Sequence, residues 1–218
     1  MADNNFKHDL FSHFARIGKA LGSANRLELL EYIAQGERSV EELARVSGLT
    51  VANTSQHLQQ LRQASLVASR KEGLKVYYSL SSNDVIELLA VLRAVAERHI
   101  ADVDRLVNTY LTVKDDLEPV PRDELLERVR TGLVSVIDVR PEEEFKAGHI
   151  PGAVNVRLAE LEEHIDKLNP QQEIVAYCRG PHCILAYEAV ARLRKHDLHA
   201  RRLEDGFPEW KAEGLPVE

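Results

Sequence analysis

LTVANTSQHLQQLRQASLV, residues 49–67, places Leu58 and Leu61 on one side of a helix spanning 51–64. Short polar side chains (Asn53, Thr54, Ser55, Gln56 and His57) fill its first turns. Working outward, Ser47-Gly48-Leu49 reads as a tight turn, and Ser39 with Glu42 three residues on resembles a capping box opening a short helix at 40–46. Downstream, the β-prone runs 66–70 and 76–80 flank Lys71-Glu72-Gly73-Leu74, a hairpin with glycine at its turn.

The flanks are helical. Phe6, Leu10, Phe14, Ile17 and Leu21 recur at helical spacing, and Ser23 is placed to cap a following helix with Leu27, Leu29, Leu30 and Ile33 that ends at Gly36. A last helix is expected from about 83 to 111, with Ile86, Leu89, Leu92, Val95, Ala96, Ile100, Val103 and Val107 as its apolar stripe. A helix that long outruns its own domain, which points to a second copy as its cover. Helix, short helix, glycine turn, helix and hairpin is the order of a winged helix-turn-helix. In that fold the second helix of the pair lies in the major groove and presents its N-terminal residues to base edges. Asn53, Thr54, Ser55, Gln56 and His57 can donate and accept hydrogen bonds there. Arg62, Arg70, Lys71 and Lys75 are expected on phosphates, where they add affinity without sequence information.

Over residues 10–108 the chain resembles the ArsR family of regulators. The resemblance rests on ANRLELL (24–30), Glu42-Leu43-Ala44, the 49–67 stretch and the wing RKEGLKVYYSL (70–80). It implies a homodimer through the first and last helices, bound to a double-stranded operator, with repression relieved by a ligand. The family's paired-cysteine metal motif would fall near 39–44, where this chain has no cysteine. Glu97, His99 and Asp102 on the last helix are an incomplete set for four-coordinate zinc, so no metal or other cofactor is expected.

The formal charge of −7 is unevenly shared. Residues 1–112 balance 13 basic against 13 acidic side chains, whereas residues 113–218 carry 15 basic and 22 acidic. A neutral first half can still bind DNA if its cations share a face. The acidic, proline-containing stretch 113–121 reads as a linker between domains at 1–112 and 122–218. No apolar run has the length of a membrane span, and MADNNFKHDLFSHF lacks the apolar core of a signal peptide. A cytoplasmic protein without membrane contact is expected.

Beyond the linker the pattern becomes α/β. VIDVR (136–140) and IVAY (174–177) are buried-strand patterns, and the second delivers Cys178 at its carboxyl end. The loop Arg179-Gly180-Pro181-His182 follows, and Cys183 opens a helix running to Lys195. Chemistry in open α/β sheets sits at this strand-loop-helix position. Loop amides, the helix N-terminus and Arg179 would all lower the Cys178 thiol pKa and favour a thiolate or persulfide. Phosphate transfer would need an arginine six residues after the cysteine, where this chain has Ile184.

This half resembles the rhodanese family over 119–218, through IDVRPEEEFKAGHIPGAVN (137–155), YCRGPHC (177–183) and LEDGFPEWKAEGLPV (203–217). The resemblance implies a parallel-sheet α/β domain in which Cys178 takes sulfane sulfur as a persulfide. Arg179, Gly180, Pro181, His182 and Cys183 would form its loop, with Asp138 and Arg140 adjacent to the site. Trp210 is expected in the core, and His149 in a loop-stabilising hydrogen bond. Cys183 departs from many loops of the family. It either attacks a persulfide on Cys178 to form a bridge or packs at the helix start. The leading reading is a sulfur-responsive repressor with a sulfane-sulfur donor as its input. The alternatives are a rhodanese-type sulfurtransferase with an accessory DNA-binding domain, sensing of a metal or small molecule by the first domain, and arsenate reduction by the two cysteines.

Overall fold

The computed structural model describes residues 2–112 and 117–218. The expected linker therefore falls partly outside the described residues, at 113–116. The chain divides into two compact units, Met1–Val85 and Ile86–Glu218.

In the first unit α1 (Ala2–Leu21) leads into α2 (Ala24–Ala34). Ser23 takes the extended conformation of an N-cap, but its side chain makes no capping bond, contrary to expectation. The turn is held instead by Arg26, whose guanidinium donates to the carbonyls of Lys19 and Ala20 and so closes the C-terminal end of α1. Strand β1 (Arg38–Ser39) precedes α3 (Val40–Ser47). The capping box is present: Ser39 N–H donates to Glu42 Oε2 at 2.8 Å and Glu42 N–H to Ser39 Oγ at 3.3 Å. Gly48 ends α3 at φ 70°, a left-handed turn that glycine takes without steric cost. Thr50 then caps α4 (Val51–Gln63) through the Asn53 amide. The wing is β2 (Val67–Glu72) with β3 (Lys75–Leu80), and β1 adds to β3, giving a three-stranded antiparallel sheet in the order β1-β3-β2. Two-residue β1 was not foreseen, because so short a run has no periodicity to read. Leu29, Leu30, Ile33, Leu43, Leu58, Leu61 and Tyr78 are buried at the core of this unit.

The single long helix expected from 83 to 111 is two α-helices, α5 (Asp84–His99) and α6 (Ala101–Val107), with a π-helical turn after them at Asn108–Thr112. The break is at Ile100, which is extended (φ −111°, ψ 101°). Charge explains the position. Arg98 and His99 favour a helix C-terminus, whereas Asp102 and Asp104 favour an N-terminus. A β-branched residue of low helix propensity stands between them.

The remaining elements are α7 (Arg122–Arg130), β4 (Val134–Asp138), α8 (Glu142–Lys146), β5 (Val154–Asn155), α9 (Leu161–His164), β6 (Glu173–Tyr177), α10 (Ile184–Lys195), β7 (Ala200–Arg202) and α11 (Phe207–Ala212). Their strands form a parallel sheet in the order β5-β4-β6-β7. Strand periodicity sorts the two cores. Ile174, Ala176 and Cys178 join Val190 and Leu193 of α10 on one face, while Val175 and Tyr177 join Leu125, Phe207 and Trp210 on the other. Both faces are covered, so β6 is apolar throughout, and Cys178 leaves the sheet at its centre, at the carboxyl ends of the strands. Trp210 is buried as expected, its indole N–H donating to the Pro216 carbonyl at 2.7 Å.

Candidate DNA-reading helix and sulfur-acceptor loop

Burial along α4 decides which side chains can meet a groove. Asn53 and Gln56 are exposed, and Ser55 and His57 are half-buried. Thr54 is fully buried and its hydroxyl donates to the Thr50 carbonyl at 3.0 Å, so the expectation of a base contact from Thr54 is corrected. It points the same way as Leu58 and Leu61, four and seven residues on, so helical phase places it inward. The same phase exposes Gln59, three residues from Gln56, a candidate that sequence reading passed over although i, i+3 spacing could have found it. His57 stands 3.5 Å from the Asn25 amide nitrogen through Nε2, tying α4 to α2.

On the wing, Lys71 and Lys75 are exposed. Arg62 donates to Ser69 Oγ at 3.2 Å. Arg70 is half-exposed but engaged: its guanidinium bonds Glu37 at 2.6 Å and also Glu72, and it lies over the Tyr77 ring. These carboxylates raise the Arg70 pKa and balance its charge within the wing, so a phosphate would have to displace one of them. The wing cations are thus Lys71 and Lys75 first and Arg70 second.

In the second unit Cys178 and Cys183 are joined as a disulfide, with Cα atoms 6.0 Å apart, an ordinary span for such a bond. Cys183 thus both bonds Cys178 and stands at the helix start, so the two readings left open by the sequence coexist. Cys178 is 1% exposed; Cys183 is partly buried and is the N-cap of α10. The helix terminus therefore faces Cys183 directly rather than Cys178. The loop is pinned at several points. Cys183 N–H donates to Gly180 O at 3.1 Å, and Phe207 N–H to Cys178 O at 3.0 Å. Gly206 passes so close that a Cβ there would lie 2.3 Å from Gly180 N and 2.5 Å from Arg179 O. Only glycine fits that approach.

Arg179 does not act as a free cation beside the sulfur. It forms a bidentate pair with the buried Glu144 of α8, Nη2 to Oε1 2.7 Å, so its charge is met by a carboxylate. The expectation that it polarises the Cys178 sulfur is corrected: Arg179 fastens the loop to α8. Asp138 and Arg140 form a second pair, Nη2–Oδ2 2.6 Å, with both side chains fully buried. Arg140 also donates to Gly148 O at 2.8 Å and stacks its guanidinium 4.1 Å from the Phe207 ring centre. Asn155 Nδ2 donates to the Asp138 and Arg140 carbonyls. This pair builds the platform under the loop. Tyr177 belongs to the same platform: burial, reinforced by Asp138, pushes its phenol pKa up, and its hydroxyl accepts the Ile150 N–H at 3.1 Å. His149 Nδ1 lies 3.1 Å from Phe145 O, the loop-stabilising contact expected of it.

His182 Nε2 lies 2.8 Å from Glu97 Oε1, so one member of the incomplete zinc set already has a partner. Burial lowers the His182 pKa, against an opposing pull from Glu97, whose carboxylate is hydrogen-bonded to the imidazole. Glu97 on α5 is the contact that sequence reading missed, because nothing in the chain links positions so far apart.

A helix-turn-helix with a wing, and a parallel α/β sheet presenting a two-cysteine loop at its carboxyl edge, define a class: a winged-helix regulator joined to a rhodanese-like domain. Comparison with known proteins agrees. Residues 23–69 match the bacterial regulatory protein, arsR family, and residues 121–213 match the rhodanese-like domain. The HTH-type transcriptional regulator Rv0324 of Mycobacterium tuberculosis is 42% identical over 212 residues, 97% of this chain and 93% of that protein. The homodimeric winged helix-turn-helix domain of Mb0332 from Mycobacterium bovis, described as a possible ArsR-family regulator, covers 43% of this chain and 87% of its own at 40% identity and TM-score 0.41. A rhodanese-related protein from Thermoplasma volcanium covers 47% of this chain and 98% of its own at 25% identity and TM-score 0.42. The chain belongs to the arsR family of bacterial regulatory proteins and carries a rhodanese-like domain; it is a DNA-binding transcriptional regulator. Among the described residues no helix is long and apolar enough to cross a membrane.

Proposed function

We propose that this regulator is a sulfur-responsive repressor whose input is the Cys178–Cys183 loop. DNA binding and dimerisation are assigned to 1–112 and sulfur chemistry to 122–218, joined by 113–121. The observation that carries the reading is the proximity of the two sulfurs on one pinned loop. The Cys178 thiolate attacks the outer sulfur of a low-molecular-weight persulfide, RSSH, forming Cys178–S–SH and releasing RS⁻. The Cys183 thiolate then attacks Cys178 Sγ, forming the protein disulfide and expelling HS⁻. The two thiolates lose two electrons and the sulfane sulfur takes them up as sulfide. A neighbour that consumes the persulfide favours a stoichiometric sensor over a transferase, which must hold its sulfur for an external acceptor.

The dimer is formed through α1 and α5. Phe6, Phe11 and Phe14 on α1 and Leu88, Val91 and Val95 on α5 are exposed in the single chain, and apolar patches of that kind mark interaction surfaces. Asn53, Ser55, Gln56 and His57 read bases, and Arg62, Lys71 and Lys75 hold phosphates, with Arg70 joining them once a phosphate displaces one of its carboxylates. As a DNA-bound regulator the protein works in the cytoplasm.

The test is a gel shift on the native operator with and without polysulfide, alongside intact-protein mass spectrometry. Wild type is expected to release DNA and gain the bridge, and Cys178→Ser to stay bound. Equal release by both proteins removes Cys178 from the switch. Sustained thiosulfate:cyanide turnover would favour the enzyme reading.

A further inference from the structure

Helix α5 reaches the sulfur loop with charged side chains one turn apart. Glu97 accepts the His182 N–H at 2.8 Å, beside Cys183. Arg93 pairs with Glu209, a buried carboxylate whose other oxygen accepts the Gly206 N–H at 3.2 Å. Gly206 packs on the Arg179–Gly180 backbone with no space to spare, and the next amide, Phe207 N–H, donates to Cys178 O. An unbroken run of hydrogen bonds and close contacts thus links Arg93 to the residue carrying the acceptor sulfur. Leu88, Val91, Leu92 and Val95, on other faces of α5, are exposed and apolar.

We propose that α5 is the output element of the sulfur loop: when Cys178 and Cys183 pass between dithiol, persulfide and bridge, Glu97 and Arg93 carry the change to the helix. This rests on the sulfur-sensing reading above. The loop cannot shift its backbone without displacing Gly206, and with it the carboxylate that Arg93 holds. Packed contacts of this kind move between discrete arrangements rather than deforming smoothly. The polar face of α5 therefore reads the loop, while its apolar residues are free to meet a second copy.

A contiguous path is not by itself coupling, so the test measures coupling. Full-length wild type and the Arg93→Gln/Glu97→Gln variant are treated with polysulfide. Sulfur uptake is followed by mass spectrometry, and operator affinity is measured before and after treatment. In wild type the two affinities should differ by roughly fivefold or more, the lower end of typical allosteric coupling. The variant should take up sulfur equally, while its affinity ratio falls to about one. A variant ratio equal to that of wild type overturns the proposal. A wild-type ratio of one overturns the sulfur-sensing reading instead, and the proposal with it. Should the double variant fail to fold, the single isosteric change Glu97→Gln, at a partly exposed position, is read in the same way.

Discussion

At the scale of single residues, the loop depends on contacts that a substitution can address directly. Asp138 and Arg140 are buried as a pair, and removing one partner leaves the other charged and desolvated. Asp138→Ala is expected to destabilise the protein by about 3–5 kcal/mol, read as a lowered midpoint in urea. An unchanged midpoint would show that Gly148 O and the Phe207 ring suffice for Arg140. Gly206→Ala places a methyl against backbone atoms rather than a flexible side chain. It should displace the loop and slow sulfur uptake by Cys178, whereas Gly214→Ala, with open space around it but a positive φ, should cost stability without touching uptake. Cys178 and its loop stand out in the sequence because glycine, proline and cysteine punctuate 178–183, and Asp138 and Arg140 because they end a buried-strand pattern within the rhodanese-like stretch. The Arg179–Glu144 pair does not, since a carboxylate on a charged helix gives no sign of which one turns inward.

At the scale of elements, the helix-turn-helix was legible because its signals agree: the capping box, the glycine turn and helical periodicity all specify one geometry. The break at Ile100 was less visible, because the apolar stripe runs straight through it and only the change from basic to acidic side chains marks it. On α4, phase separates exposed side chains from buried anchors. Gln56→Ala is expected to cost about 1–3 kcal/mol on the operator and far less on random DNA, and Lys71→Ala to weaken both equally and flatten the salt dependence. Fluorescence anisotropy at two salt concentrations distinguishes them, and equal losses for Gln56→Ala on both DNAs would remove it from base reading.

At the scale of the whole molecule, acid should act through His182. Its pKa is lowered in the folded protein by burial. Between that lowered value and the unfolded value of about 6.5, the unfolded chain binds more protons, so stability falls as pH drops through this window and is fully present above it. His182→Gln should flatten that slope in urea titrations across the window; an undiminished slope would assign the acid sensitivity elsewhere. The only two cysteines in the chain stand on one loop. Closure of the bridge is therefore a first-order event, governed by a local effective concentration rather than by encounters between molecules. Once Cys178 carries sulfur, that step would run as quickly in a regulator present in very few copies per cell as in an abundant one, and only the supply of donor would set how soon it begins.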